Sequence, residues 1–241
     1  MSTVLEIAVF SVEAAISALK AGAHRIEFCE NPQEGGTTPS FGSLQTLRSF
    51  TTQPVFPIIR PRGGDFLYSS IEFEVMKSDV LTIKELGYKG AVIGLLNADG
   101  SIDTKRTKEL VDLAGPSMQI SFHRAFDRCQ NPLLALEAII ETGCKRILTS
   151  GQVPQVADAL SLIKTLHQKA SGRIIIMPGS GVRSSNIKEI IQATGVTEIH
   201  SSARCQIDSK MNYIQTSMNE NLQATGVDTT EIKKMLAAIT L

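Results

Sequence analysis

A small set of side chains that could bind ligands or move protons lies near the ends of short apolar segments. These side chains are Glu6, Glu27, Cys29, Arg60, His123 and His200. Carboxylates and imidazoles act as general acids and bases, a guanidinium binds carboxylate or carbonyl oxygens, and a thiol favours soft metals such as Cu(I). These residue types therefore predict either acid–base chemistry on a small anion or binding of a metal ion.

The segment Gln119–Asp127 (QISFHRAFD) indicates how such residues are positioned. Polar side chains, the last of them His123, alternate in it with the apolar Ile120 and Phe122. Side chains of a strand point alternately to its two faces. If the same phase recurs in the other strands, their polar side chains converge on one interior.

Strand patterns alternate with helical patterns along the chain. The other predicted strands are Val4–Phe10, Arg25–Glu30, Val55–Arg60, Ala91–Leu96, Arg146–Ser150, Arg173–Met177 and Glu198–Ser202. Helix starts are predicted at Ser11, Ser40, Asp103 and Asn131-Pro132, and at Ser184 or Ser185. Eight such units in 241 residues predict a single-domain α/β fold, a (β/α)8 TIM barrel spanning residues 1–241.

The last unit is irregular. Residues 203–227 are polar and mixed, and the closing C-terminal helix is predicted at residues 228–241. Asp228 and Glu231 have the spacing of a capping box. Because the segment 203–227 is long for a loop in a barrel, we expect a subunit contact there.

Charge and cysteine content exclude several classes of partner. Lys and Arg total 24, as do Asp and Glu, so the formal net charge is zero and neither nucleic acid nor an anionic membrane is expected as a partner.

The sequence has no apolar run long enough to span a membrane and no signal-peptide pattern at Met1 to Ala8, which favours a cytoplasmic location. The four widely spaced cysteines are expected to be free thiols.

Active sites of barrels lie at the carboxyl ends of the strands. In an enzyme, Glu6 or Glu27 would be the base and His123 the acid. An anionic substrate would be bound by residues at or beyond neighbouring strand ends: Arg60, Arg62, Arg124, Gly179, Gly181, His200, Ser201 and Ser202. The alternative is a satisfied network of Glu, Arg and His that only closes the barrel.

Several longer motifs identify the chain as resembling the CutC family. They are RIEFC (25–29), EGGTTPS (34–40), IIRPRGGDF (58–66), FHRAFD (122–127), LTSG (148–151) and EIHSSA (198–203). The resemblance implies a cytoplasmic barrel that forms a homodimer or higher homo-oligomer and has a role in copper homeostasis. The family's proposed copper ligands are one cysteine on strand one and one on strand two, which correspond here to Ala8 and Cys29.

Three hypotheses follow. The first is a copper-handling protein that binds Cu(I) through Cys29, with Cys205, His200 or a second subunit completing the site. The second is an enzyme that acts on a small anionic or phosphorylated metabolite. The third is a barrel that has lost its catalysis.

Overall fold

Eight parallel strands form a ring surrounded by helices in the computed structural model, which describes residues 3–240. The strands are β1 (Val4–Val9), β2 (Arg25–Phe28), β3 (Val55–Pro57), β4 (Gly90–Ile93), β5 (Gln119–Phe122), β6 (Arg146–Thr149), β7 (Ile175–Pro178) and β8 (Glu198–Ser201). They pair in the orders β3-β2-β1-β8 and β4-β5-β6-β7. A parallel bridge between Ile58 and Val92 joins β3 to β4, and β7 lies beside β8. The predicted (β/α)8 fold class is confirmed.

The helices cover the outside of the ring. They are α1 (Val12–Lys20), α2 (Phe41–Phe50), α3 (Ser70–Glu85), α4 (Thr104–Ala114), α5 (Pro132–Thr142), α6 (Leu160–Ala170), α7 (Ile187–Thr194) and α8 (Thr229–Thr240). The predicted caps Ser11, Ser40, Asp103 and Asn131 each accept a backbone N–H at a helix start. No helix within residues 3–240 is long and apolar enough to cross a membrane.

Alternation along each strand separates an apolar layer from a polar interior. In β1, Leu5, Ile7 and Val9 pack in the main hydrophobic core between strands and helices. The intervening Glu6 and Ala8 face the inside of the ring. Because the other strands have the same phase, buried charged groups collect inside the barrel.

Strand pairing sets the height of each inward residue. Along the β1–β2 ladder, Glu6 lies opposite Arg25 and Ala8 lies opposite Glu27. Glu27 is therefore one layer nearer to the carboxyl ends than Arg25. This difference in height separates a structural layer from a ligand-accessible one.

The segment after β8 forms an antiparallel hairpin of β9 (Arg204–Ile207) and β10 (Ala224–Val227). Several of its apolar side chains are exposed: Ile207, Met211, Tyr213, Ile214, Met218 and Leu222. The predicted subunit contact here stays a prediction.

Asp228 begins the closing helix, because its carboxylate accepts the N–H groups of Thr230 and Glu231. The reciprocal half of the predicted capping box is wrong: the Glu231 carboxylate accepts from the backbone N–H and hydroxyl of Ser184. Ser184 therefore ties the loop after β7 to the first turn of α8. Neither Ser184 nor Ser185 caps α7, because the N-cap position of α7 is Asn186. Residue 241, where the predicted helix ends, lies outside the described residues.

Candidate functional site

The lowest polar layer of the barrel is a closed ion network. Arg25 bridges Glu6 and Glu198, its Nη2 lying 2.5 Å from Glu198, and Arg146 Nε donates to the same Glu198 carboxylate at 2.8 Å. Both guanidiniums also lie over the Phe56 ring. Two carboxylates and two guanidiniums compensate one another here, as buried charges must. This layer closes the barrel and leaves Glu6 no free face for a ligand.

His200 connects this network to the layer above. Its Nδ1 lies 2.8 Å from Glu6 Oε1, and its Nε2 lies 3.7 Å from Glu27 Oε2. Burial acts to lower the pKa of His200, but the hydrogen bond to Glu6 and the charges of Glu27 and Glu6 raise it. Burial raises the pKa of Glu6, yet the charge of Arg25 and the bond to His200 lower it to about 2. Glu6 therefore stays ionised.

Glu27 behaves in the opposite way. Burial raises the pKa of Glu27 to about 7, with the charge of Glu6 adding to the effect and the charge of His200 opposing it. The carboxyl can therefore release and accept a proton near neutral pH. A general base needs this property.

His123 is held as a neutral imidazole with one donor to spare. Its Nδ1 accepts the backbone N–H of Ala125 at 3.0 Å, so the proton of the neutral ring is on Nε2. Burial and the nearby charge of Arg60 lower the pKa of His123 to about 3. Only 4% of the residue is exposed, and Nε2 has no hydrogen-bond partner among residues 3–240. A buried donor without an acceptor is costly unless a ligand satisfies it.

Arg60 organises the loops above the barrel. Its guanidinium donates to the carbonyl oxygens of Glu34 (2.5 Å), Gly36 (2.8 Å) and Gly64 (2.9 Å), and it lies over the Phe66 ring. These contacts join two of the longer motifs, EGGTTPS (34–40) and IIRPRGGDF (58–66), through one arginine. Three backbone carbonyls and no carboxylate hold this cation, so its charge remains available to an anion.

A cavity of about 260 Å³ opens at the carboxyl ends of the strands. Its lining includes these predicted site residues: Glu27, Arg60, His123, Arg124, Gly181, His200, Ser201 and Ser202. The other predicted site residues are absent from the lining: Glu6, Cys29, Arg62, Gly179 and Cys205.

Two of these absences have a clear reason. Arg62 pairs with Asp65 and Glu72 at 2.9 and 2.5 Å, which directs it away from the cavity. Gly179 packs against two lining residues: a Cβ there would lie 2.6 Å from Leu148 Cδ1 and 3.1 Å from His200 Cδ2. Gly179 thus provides space for Leu148 and His200.

Asp127 explains the position of Arg124 at the rim. Its carboxylate accepts from Arg124 Nε at 2.7 Å, from the Thr149 hydroxyl at 2.5 Å, and from the N–H and hydroxyl of Ser150. The loops after β5 and β6 are therefore joined through one carboxylate.

Two further residues line the cavity that were not predicted from the sequence, Arg183 and Arg204. Arg183 lies two residues after Gly181, and a cation so close to a predicted anion-binding turn could have been predicted from the sequence to line the site. Arg204 directly follows Ala203, which adopts a left-handed conformation with φ of 41° that no sequence pattern indicates.

The two candidate copper-binding cysteines, Cys29 and Cys205, are absent from the cavity lining, whereas His200 belongs to it. Cys29 is buried, and burial with the charges of Glu27 and Glu6 raises the pKa of its thiol well above the usual range. Cys205 is half-buried on β9. Within the described part of the chain, no group of three or more His, Cys, Asp or Glu side chains is arranged to hold a metal ion.

Comparison with known proteins agrees with this architecture. Residues 3–205 match the CutC family. A CutC family protein of Chromobacterium violaceum is 46% identical over 228 residues, covering 95% of this chain and 91% of its own. One from Photorhabdus laumondii is 52% identical over 211 residues, covering 88% and 84%.

Solved structures with similar folds include a CutC protein and other barrels. A Streptococcus agalactiae CutC protein whose name links it to copper homeostasis has a TM-score of 0.79 and 31% identity, covering 83% of this chain and 98% of its own. The phosphoribosylanthranilate isomerase of Pyrococcus furiosus has a TM-score of 0.60 at 12% identity, covering 99% and 98%, and shares the fold alone. The family match, the identities to these relatives and the shared barrel together show that the chain belongs to the CutC family.

Proposed function

We propose that the cavity binds a small anionic carbonyl compound and moves a proton on it. The observation that carries this proposal is the Nε2–H of His123, a buried donor without an acceptor among residues 3–240, on a residue that lines the cavity. A carbonyl or carboxylate oxygen of a ligand would accept this hydrogen bond. The cation of Arg60 beside it would stabilise negative charge that develops on the same oxygen.

Glu27 is the proposed base. It lines the same cavity, and its pKa of about 7 leaves a substantial ionised fraction at neutral pH. The carboxylate would take a proton from the carbon next to the carbonyl, and the electron pair would move to the oxygen that faces His123. Glu6, the other candidate, is occupied by Arg25 and His200.

Deuterium exchange tests this proposal without knowledge of the product. Small keto acids, ketoses and their phosphate esters would be incubated with the protein in D2O, and loss of the C–H signal next to the carbonyl would be followed by NMR. We expect catalysed exchange in at least one compound. Glu27→Gln should slow it by about 100- to 10,000-fold, the usual contribution of a general base.

Arg128→Gln is the matched control, because Arg128 is exposed and absent from the cavity lining. This variant should exchange at the wild-type rate. Absence of exchange across the whole panel, or a Glu27→Gln variant as active as the wild type, would reject the proposal.

Copper handling is the second candidate, with Cu(I) as cargo. It is supported by the name of the Streptococcus agalactiae relative and by Cys29, whose thiol lies next to Glu27. Because this thiol must lose its proton to bind the metal, affinity should rise with pH. A cytoplasmic location, where thiols stay reduced, is part of this proposal.

A Cu(I) competition titration against a chelator of known affinity tests it under reducing conditions. Stoichiometric binding that is lost in Cys29→Ala and kept in Cys144→Ala would support copper handling. Cys144 is also buried, and its neighbour is Thr142 instead of a cavity residue. Wild-type binding no tighter than that of the Cys29→Ala variant would reject it.

A further inference from the structure

Two arginines at one side of the cavity have no acidic partner. Arg183 follows the turn after β7, and Arg204 begins β9; both line the cavity. Neither guanidinium forms a salt bridge with any carboxylate of residues 3–240. Arg204 instead lies over the Phe10 ring, 4.7 Å from its centroid.

The two positive charges are also close enough to affect each other. Partial burial lowers the pKa of Arg204, the Cys29 sulfur opposes this, and the charge of Arg183 lowers the pKa further. Like charges that face the same space without a counter-ion repel one another. An anion between them would remove that cost.

A residue with a left-handed backbone conformation precedes each arginine in the chain. Ser180, which precedes the Arg183 turn, has φ of 86°, and Ala203, which precedes Arg204, has φ of 41°. Non-glycine residues adopt such angles only where the surrounding structure enforces them, and they cluster at functional sites. The Ser180 hydroxyl is fixed by the Pro154 carbonyl, and the Ala203 N–H by the Ser201 hydroxyl.

One hydroxyl beside the arginines is free to bind a ligand. The Ser201 hydroxyl donates to the Val182 carbonyl at 2.8 Å and is therefore used within the protein. Ser202 lines the cavity and is half-buried, and its hydroxyl makes no hydrogen bond with the described residues. A phosphate group accepts hydrogen bonds from hydroxyl and guanidinium groups alike.

We propose that Arg183, Arg204 and Ser202 form a phosphate subsite, so that the substrate is a phosphomonoester with its carbonyl directed to Glu27 and His123. A dianionic phosphate balances two guanidiniums, whereas a carboxylate balances one. The loops after the seventh and eighth strands are also where many barrels bind phosphate. The subsite deepens the proposed function and rests on it for the carbonyl end only.

Calorimetric titration tests the subsite directly. The probes are inorganic phosphate and glycerol 3-phosphate, with glycerol as the uncharged control, at low ionic strength because salt screens exposed charges. We expect saturable binding of both phosphates and none of glycerol. Arg183→Gln and Arg204→Gln should each weaken phosphate binding by about tenfold or more, the loss expected for one charge-assisted hydrogen bond. Arg128→Gln should bind as the wild type does.

Circular dichroism would establish that each variant is folded before titration. Because Arg204 is exposed, Arg204→Gln should disturb the fold less than Arg183→Gln. No saturable phosphate binding, or equal losses in all three arginine variants, would overturn the subsite.

The two proposals fail separately. Arginine-dependent phosphate binding without deuterium exchange in any compound would retain the subsite and reject the proton transfer. Exchange of unphosphorylated compounds without phosphate binding would retain the proton transfer and reject the subsite.

Discussion

The imidazole of His123 packs directly against the backbone of Gly94: a Cβ at Gly94 would lie 2.3 Å from Nδ1 and 2.3 Å from Cε1 of the ring. Gly94 follows β4, and only a residue without a side chain leaves room for the ring. Gly94→Ala should therefore displace His123, weaken ligand binding at the cavity and lower the free energy of unfolding by about 1–3 kcal/mol, the usual cost of overpacking. Urea unfolding and ligand titration measure the two effects.

Gly42→Ala is the control for that substitution. Gly42 lies in α2, and a Cβ there would meet nothing within 4 Å. Its stability should be unchanged or raised by up to about 1 kcal/mol. If the two variants have the same stability and the same ligand affinity, the position of the His123 ring does not depend on Gly94.

The tautomer of His123 is a second prediction. Because its pKa is lowered to about 3, the ring should remain neutral between pH 5 and pH 8, a range over which an ordinary histidine with a pKa of about 6.5 loses almost all of its charge. Long-range ¹H–¹⁵N spectra should show a protonated Nε2 and an unprotonated Nδ1 throughout this range. The resonance is assigned from its loss in His123→Gln. A doubly protonated ring at pH 5, or a proton on Nδ1, would contradict the role of Nε2–H as donor.

The pairing of Glu6 gives a third prediction. Glu6→Gln leaves Arg25 without one of its two buried carboxylates, and breaking such a pair costs about 3–5 kcal/mol. Urea unfolding at neutral pH measures this loss. The matched control is Glu137→Gln, which removes an exposed pair with Arg173 and should cost no more than about 1 kcal/mol. Equal losses would mean that the internal network contributes no more than a surface pair.

Acid stability should depend on the same carboxylate. The pKa of Glu6 is lowered from 4.5 to about 2 in the folded protein, so its contribution is present above pH 4.5 and is lost as the pH falls toward 2. Glu6→Gln should therefore lose less stability than the wild type over that range. A variant with the same acid-unfolding slope as the wild type would show that another group controls it.

The fold and the face of each strand could be predicted from the sequence, because alternation of polar and apolar residues is local. The residues that the pattern placed inside, such as Glu6, Glu27 and His123, do face the interior. Alternation does not give height along the barrel, which depends on how neighbouring strands pair. That register sets Glu6 opposite Arg25 and Ala8 opposite Glu27, and so decides which glutamate reaches the cavity.

Loop residues were harder to predict than strand residues. Arg60 and Arg62 are the same residue type, two positions apart, so the sequence does not distinguish them. In the structure Arg60 holds the loops above the cavity, whereas Arg62 pairs with Asp65 and Glu72. Arg204 enters the site through a left-handed turn at Ala203, a residue type that gives no signal for such a turn. These positions depend on tertiary contacts that no short segment encodes.

Glu27 and His200 give a further prediction, on stability above pH 5. The pKa of Glu27 is raised from 4.5 to about 7, and that of His200 is also raised, so the folded state binds protons more tightly at both groups. Their contribution is complete at low pH and is lost as the pH rises through the folded-state values. For Glu27 the loss is about 3 kcal/mol at most. The melting temperature should therefore fall between pH 5 and pH 8, and less steeply in Glu27→Gln.

Titration of Glu27 itself is the sharpest test of the proposed proton transfer. The protein would be labelled with ¹³C at the glutamate side-chain carboxyl groups, and their NMR shifts would be followed from pH 4 to pH 9 in the wild type and in Glu27→Gln. The account predicts one carboxyl that titrates near pH 7 and is absent from the variant. If no glutamate carboxyl titrates near pH 7, and Glu27 instead titrates near the ordinary value of about 4.3, Glu27 is not poised as a base and the proposed proton transfer is wrong.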